Sequence, residues 1–176
     1  MVEPIREADK YQGARLSLKA NLAGAVIPVL IDIGFGDHVH PAPKREVFPS
    51  LLAGLPQANI LMYPPETVIA EKFEAMVKLG IDNTRMKDFH DIWFLAQRFE
   101  FDGPTLRKAI DATFARRQTN LPPLPEALTD AFANDPTKQV QWAAFLRRNG
   151  LTGLPERFSE VVAVLRNFFE PVLRLR

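Results

Sequence analysis

The sequence predicts an α+β fold: a small, mainly antiparallel sheet followed by a helical domain of about five to six helices. Two observations lead to it. Through residues 11–35 apolar and polar side chains alternate, the period-two pattern of half-buried strands. From residue 64 onward apolar residues recur at three- and four-residue spacing, the signature of amphipathic helices. The expected division is therefore a sheet region over 1–63 and a helical domain over 64–176.

Each element has its own warrant. In 11–22, Leu16, Leu18 and Ala20 face one way and Arg15, Ser17 and Lys19 the other. Residues 21–24 offer a turn, with Gly24 free to take positive φ. In 26–35, Ile27, Val29, Ile31, Ile33 and Phe35 share a face opposite Pro28, Leu30, Asp32 and Gly34. Pro28 cannot donate to a ladder, which places it at a strand start or on an edge. The two segments read as a hairpin, residues 36–43 as a loop, and 59–63 as a short strand closed by Pro64-Pro65. Helices are expected over 66–79, stopped by Gly80, and over 84–98, 104–117, 126–132 and 138–148. The last begins near residue 155, with Phe158, Val161, Val162, Leu165, Phe168, Phe169, Val172 and Leu173 on one stripe and Pro171 set to kink or end it.

Composition narrows the function classes. A chain of 176 residues that is 47% hydrophobic and 24% charged can bury a core and is not a disordered tail. No run reaches the ~18 apolar residues of a membrane span, and residues 1–7 lack the apolar centre of a signal peptide, so no membrane contact and a cytoplasmic location are expected. The absence of cysteine excludes disulfides, a thiol nucleophile and Cys-based zinc sites. A net charge of +1 does not announce a nucleic-acid binder.

Chemistry can live in two places. Asp32 lies inside the apolar run Val29-Leu30-Ile31-Asp32-Ile33, so its carboxylate must meet solvent, a partner or a metal. The second place is 63–95, where Lys72 lies beside a core stripe of Val68, Ile69, Phe73, Met76 and Val77. Lys87, Asp88 and Asp91 share a helix face there, a pattern that also fits a self-paired surface. His90-Asp91 is the dipeptide of HD-type phosphohydrolases, whose further ligands would have to come from His38, His40 or Asp111. The doublets Lys44-Arg45, Arg107-Lys108, Arg116-Arg117 and Arg147-Arg148 could face phosphate or complement helix dipoles.

Three ordered motifs carry a resemblance. Val29-Leu30-Ile31-Asp32-Ile33-Gly34-Phe35-Gly36-Asp37, then Tyr63-Pro64-Pro65-Glu66-Thr67-Val68-Ile69-Ala70-Glu71-Lys72, then Arg85-Met86-Lys87-Asp88-Phe89-His90-Asp91, resemble the AbiEii/AbiGii toxin family. These nucleotidyltransferase-like proteins are related at fold level to DNA polymerase beta and belong to abortive-infection or toxin–antitoxin pairs. The resemblance implies catalytic roles for Asp32, Lys72 and Asp91, nucleotide binding by Lys72, Arg85, Lys87 and Asp88, and Mg²⁺ at Asp32. It implies NTP as donor, tRNA, another RNA or a protein as acceptor, and a cognate antitoxin. The family's Gly-Ser turn and Asp-x-Asp strand find no match, since Glu7-Ala8-Asp9 lacks the turn. The chain thus resembles the C-terminal portion of such a toxin, with a non-catalytic interaction module as the alternative. Its short sheet further predicts a homo-oligomer, or stability only with a partner.

Overall fold

The computed structural model describes residues 1–5 and 13–175. Residues 11 and 12, the start of the first predicted strand, lie outside the described residues. The chain forms two compact units, Met1–His38 and Val39–Arg176.

The first unit is an antiparallel sheet of β1 (Val2–Ile5), β2 (Gly13–Leu22) and β3 (Ala25–Gly34), in the order β1-β2-β3. β2 and β3 form the expected hairpin. Its register sets Leu16 against Ile31, Leu18 against Val29 and Ala20 against Ile27 on one face, and Arg15 against Asp32 on the other. The connecting pair Ala23-Gly24 takes φ of +48° and +87°, the double left-handed turn whose twist suits a two-residue hairpin. Pro28 falls mid-strand opposite Lys19, and β3 has β2 as its one neighbour among the described residues. That is the open edge on which a proline fits.

In the second unit β4 (Lys44–Phe48) and β5 (Ala58–Met62) pair antiparallel. Neither β1 nor β4 is legible as a strand in the sequence: Lys44-Arg45-Glu46 shows no alternation, and all of β4 is exposed. Among the described residues six helices follow: α1 (Pro65–Leu79), α2 (Met86–Arg98), α3 (Gly103–Arg117), α4 (Asp130–Ala133), α5 (Pro136–Asn149) and α6 (Phe158–Leu173). The helix expected over 126–132 is instead a 3-10 turn, Glu126–Leu128, and the short α4, separated by Thr129 in extended conformation. The Thr129 hydroxyl accepts the Phe132 N–H and so caps a new helix rather than continuing the old one.

The core belongs to the helices. Ile69, Phe73 and Met76 of α1, Phe89 and Ile92 of α2, Ile110 of α3 and Phe158, Val161, Val162, Leu165 and Phe169 of α6 are fully buried, with Phe168 and Leu173 partly buried against them. Phe73 stacks on Phe169 with centroids 4.0 Å apart, and Phe89 meets Phe158 edge-on at 5.0 Å. Pro171 lies inside α6, two residues before its end. Arg107 of α3 closes that end, donating from Nη1 to the carbonyls of Leu173 (2.9 Å) and Leu175 (2.8 Å). No helix among the described residues is long and apolar enough to cross a membrane.

Candidate functional site

The second unit gathers five of the sequence-predicted residues at the start of α2. Lys72 reaches across from α1, and Asp88 and Asp91, three residues apart, present their carboxylates on one side of α2. The Lys72 ammonium donates to Asp88 Oδ1 at 2.9 Å and lies 2.7 Å from Asp91 Oδ2. Lys87 donates to the same Asp91 oxygen, and His90 Nδ1 sits 3.1 Å from Asp91 Oδ1. Arg85 Nε is 2.9 Å from Asp88 Oδ2, inside ion-pair distance but out of hydrogen-bond alignment. Asp88 Oδ2 is therefore a buried acceptor with no hydrogen bond, on a side chain only 3% exposed.

Charge and burial compete here. Burial pushes the Asp91 carboxyl up, and hydrogen bonds from Lys72, Lys87 and His90 outweigh it, leaving it below its ordinary value. Burial likewise pushes Lys72 down, and its bonds to Asp91 and Asp88 carry it above its ordinary value. Both groups are thus held charged. The ammonium is enclosed by two carboxylates, while Arg85 and Lys87 stand out at 59% and 71% exposure.

Two residues that motif reasoning missed aim this end of α2. The Arg85 N–H donates to Asn83 Oδ1 at 2.8 Å. Buried Lys138 of α5 donates to the Ile81 and Asn83 carbonyls at 2.5 and 2.8 Å, with its ammonium 5.1 Å from the Phe132 ring centroid. A signal existed: Lys138, Trp142 and Phe145 are spaced i, i+4, i+7, which sets a cation on an apolar stripe.

Asp32 belongs to the other unit. Arg15, directly opposite on β2, grips both its oxygens, Nε to Oδ1 at 2.7 Å and Nη2 to Oδ2 at 2.8 Å. The pair is about half exposed, the solvated face of a hairpin. A guanidinium across both oxygens competes directly with a divalent cation, and no group of three acidic or histidine side chains suited to a metal occurs among the described residues. As arranged, these residues do not fit Mg²⁺.

The remaining candidates have other work. His90 is half-buried between Phe94 and Phe145. His40 is tied to α1 through its backbone: its N–H donates to Thr67 Oγ1 at 3.1 Å, and the Thr67 hydroxyl donates to its carbonyl at 2.9 Å. Of the basic doublets, Arg107 caps α6, and Arg117 ties α3 to buried Glu74 at 2.8 Å.

The ordered motifs and this geometry invite comparison with known proteins. The family model described as nucleotidyl transferase AbiEii toxin, type IV TA system, matches residues 1–164. The chain belongs to the AbiEii family. Comparison with curated proteins and with solved structures gave no match. AbiEii membership brings the general role of a toxin in a type IV toxin–antitoxin system, and with it a cognate antitoxin. In this AbiEii chain the start of α2 combines fixed, charged acids with two outward cations, an arrangement able to orient a polyanion.

Proposed function

We propose that this toxin acts through a nucleoside triphosphate bound at the start of α2, moving a nucleotide to an RNA, tRNA included, or to a protein. The acceptor hydroxyl oxygen forms a bond to the α-phosphorus and releases its proton to solvent, as the bond between the α-phosphorus and the oxygen bridging to the β-phosphate breaks and pyrophosphate leaves with the electron pair. Cations beside the departing charge stabilise it, and positioning supplies much of the rest. Arg85 and Lys87 are the outward cations; Lys72 contributes charge from behind, held by Asp88 and Asp91. Support comes above all from one observation: Lys72, Arg85 and Lys87 converge with Asp88 and Asp91 on one helix start.

Equilibrium titration with ATP, GTP, CTP and UTP tests the reading. Binding that weakens roughly tenfold or more when Arg85→Ala and Lys87→Ala are combined supports it. No binding of any of the four at millimolar nucleotide overturns it.

A different observation favours a second reading, an interaction module for an antitoxin or another chain. Large apolar side chains of the strands, among them Leu30, Ile31, Val47, Phe48 and Leu61, are exposed. Labelled-nucleotide transfer to cellular RNA or protein separates the two, because a module without catalysis transfers nothing.

A further inference from the structure

We propose that the nucleotide's seat has a second wall, built by α5, in which Arg148 contacts phosphate and Gln141 contacts the ribose or base. The inference rests on the nucleotide reading above and adds residues that no motif assigns. An open cleft of about 470 Å³ lies between the start of α2 and the end of α5, a size suited to a small ligand. Arg85, Lys87 and Asp88 line it on one side, and Gln141, Phe145 and Arg148 on the other. The α5 trio is spaced i, i+4, i+7 and so shares a helix face.

The charges select an anion. Arg148 is exposed and makes no ion pair with any described residue, and Arg85 and Lys87, each paired with one carboxylate (Asp88 and Asp91), keep most of their surface open. The one acid on the wall, Asp88, is already occupied on Oδ1 by Lys72. Lys72 itself is enclosed by two carboxylates and is a positioning residue, so the open cationic capacity lies with Arg85, Lys87 and Arg148.

The acceptors select more than an anion. Asp88 Oδ2 and Gln141 Oε1 are both buried without a hydrogen bond. Asp88 Oδ2 has the Arg85 guanidinium 2.9 Å away, whereas a bare phosphate offers the Gln141 oxygen no donor and leaves its desolvation uncompensated. A nucleotide carries phosphate charge together with the O–H and N–H donors of ribose and base. Phe145, packed on Trp142 with centroids 5.4 Å apart, gives the cleft a rigid aromatic surface beside those oxygens.

Titration of the full chain with nucleoside triphosphates and, separately, with inorganic tripolyphosphate tests this, with thermal melts to show that each variant is folded. Arg148→Ala is expected to weaken both ligands about tenfold. Gln141→Leu is expected to weaken the nucleotides and leave tripolyphosphate unchanged, and Arg147→Ala to change neither. Wild-type nucleotide binding that survives Arg148→Ala undiminished overturns the second wall and leaves the nucleotide reading standing. An equal loss in Arg147→Ala overturns it as well, by showing diffuse attraction to the helix end. An unchanged nucleotide affinity in Gln141→Leu removes the ribose or base contact. A wild-type chain that binds no nucleotide fails the underlying reading instead, and this inference with it.

Discussion

At the scale of single residues, Lys72 and Asp91 form a clasp between α1 and α2 whose strength depends on pH. The Asp91 carboxyl lies below its ordinary 3.8, so its contribution is present above that value and is lost as pH falls through the lower, folded-state value. Lys72 lies above its ordinary 10.5, so its contribution is complete below that value and is lost as pH rises through the higher, folded-state one. Between these limits the clasp is flat with pH. Asp91→Asn is expected to lower stability by roughly 1 kcal/mol at neutral pH and to shallow the acid limb. Urea midpoints measured from about pH 7 to about pH 2 check this. An acid limb as steep as the wild type's would assign the loss to other carboxylates. The clasp's members were legible from their spacing, which leaves open whether they pair with each other or face a ligand. The answer came from α1, because Lys72 is sixteen residues from Asp88 and only helix packing brings them together.

At the scale of elements, the turn from α1 to α2 sets where the cations of α2 point. Gly80 ends α1 with φ +50° and ψ −134°, a conformation that glycine tolerates and other residues do not. A Cβ there would also stand 2.7 Å from Glu126 Oε2. Gly80→Ala is therefore expected to cost about 1–3 kcal/mol, read as a lowered thermal midpoint. Lys138 holds the next residues of this turn. Lys138→Met strips the Ile81 and Asn83 carbonyls of their donor and is expected to destabilise by about 1–3 kcal/mol or more. Nucleotide affinity should fall as well, since Asn83 holds the Arg85 backbone; a destabilised variant with full affinity would show that the turn does not aim α2. The stop at Gly80 and the stripe of α6 were legible because each depends on local chemistry. The break between Glu126 and Phe132 was not, because capping by Thr129 competes with helix continuation and the pattern of apolar residues is the same in both cases.

At the scale of the whole molecule, the buried core lies within the helical unit and the strands remain open. Ile27, Ile31 and Ile33 of β3 are 41%, 43% and 37% exposed, and Leu61 and Met62 of β5 are exposed too. A fully exposed side chain of this kind gains roughly 1.5–3 kcal/mol on burial, so the β3 isoleucines, about two-fifths exposed, each have roughly 1 kcal/mol left to gain, and β3 carries an open edge among the described residues. Arg15 and Lys19 on β2 oppose pairing only mildly, since neither lies on that edge strand. The isolated chain is expected to self-associate, or to gain stability when a partner covers the sheet. Light scattering at high micromolar concentration checks this; a monomer with a single cooperative unfolding transition would mean the sheet needs no cover.

What the sequence determined by itself is what depends on neighbours along the chain. The β2–β3 hairpin with its turn at Gly24, the long helices and their apolar stripes, and the ordered motifs of the AbiEii family all follow from period, turn chemistry and spacing. Tertiary structure decided which charges meet. It enclosed Lys72 between two acids, spent Arg107 and Arg117 on internal bonds, and left Arg148 facing a cleft. The physical reason is range: a stripe or a turn is an intrinsic property of a few consecutive residues. A long cationic side chain takes its partner from whatever carboxylate or carbonyl the packing of distant helices places within three ångströms of it.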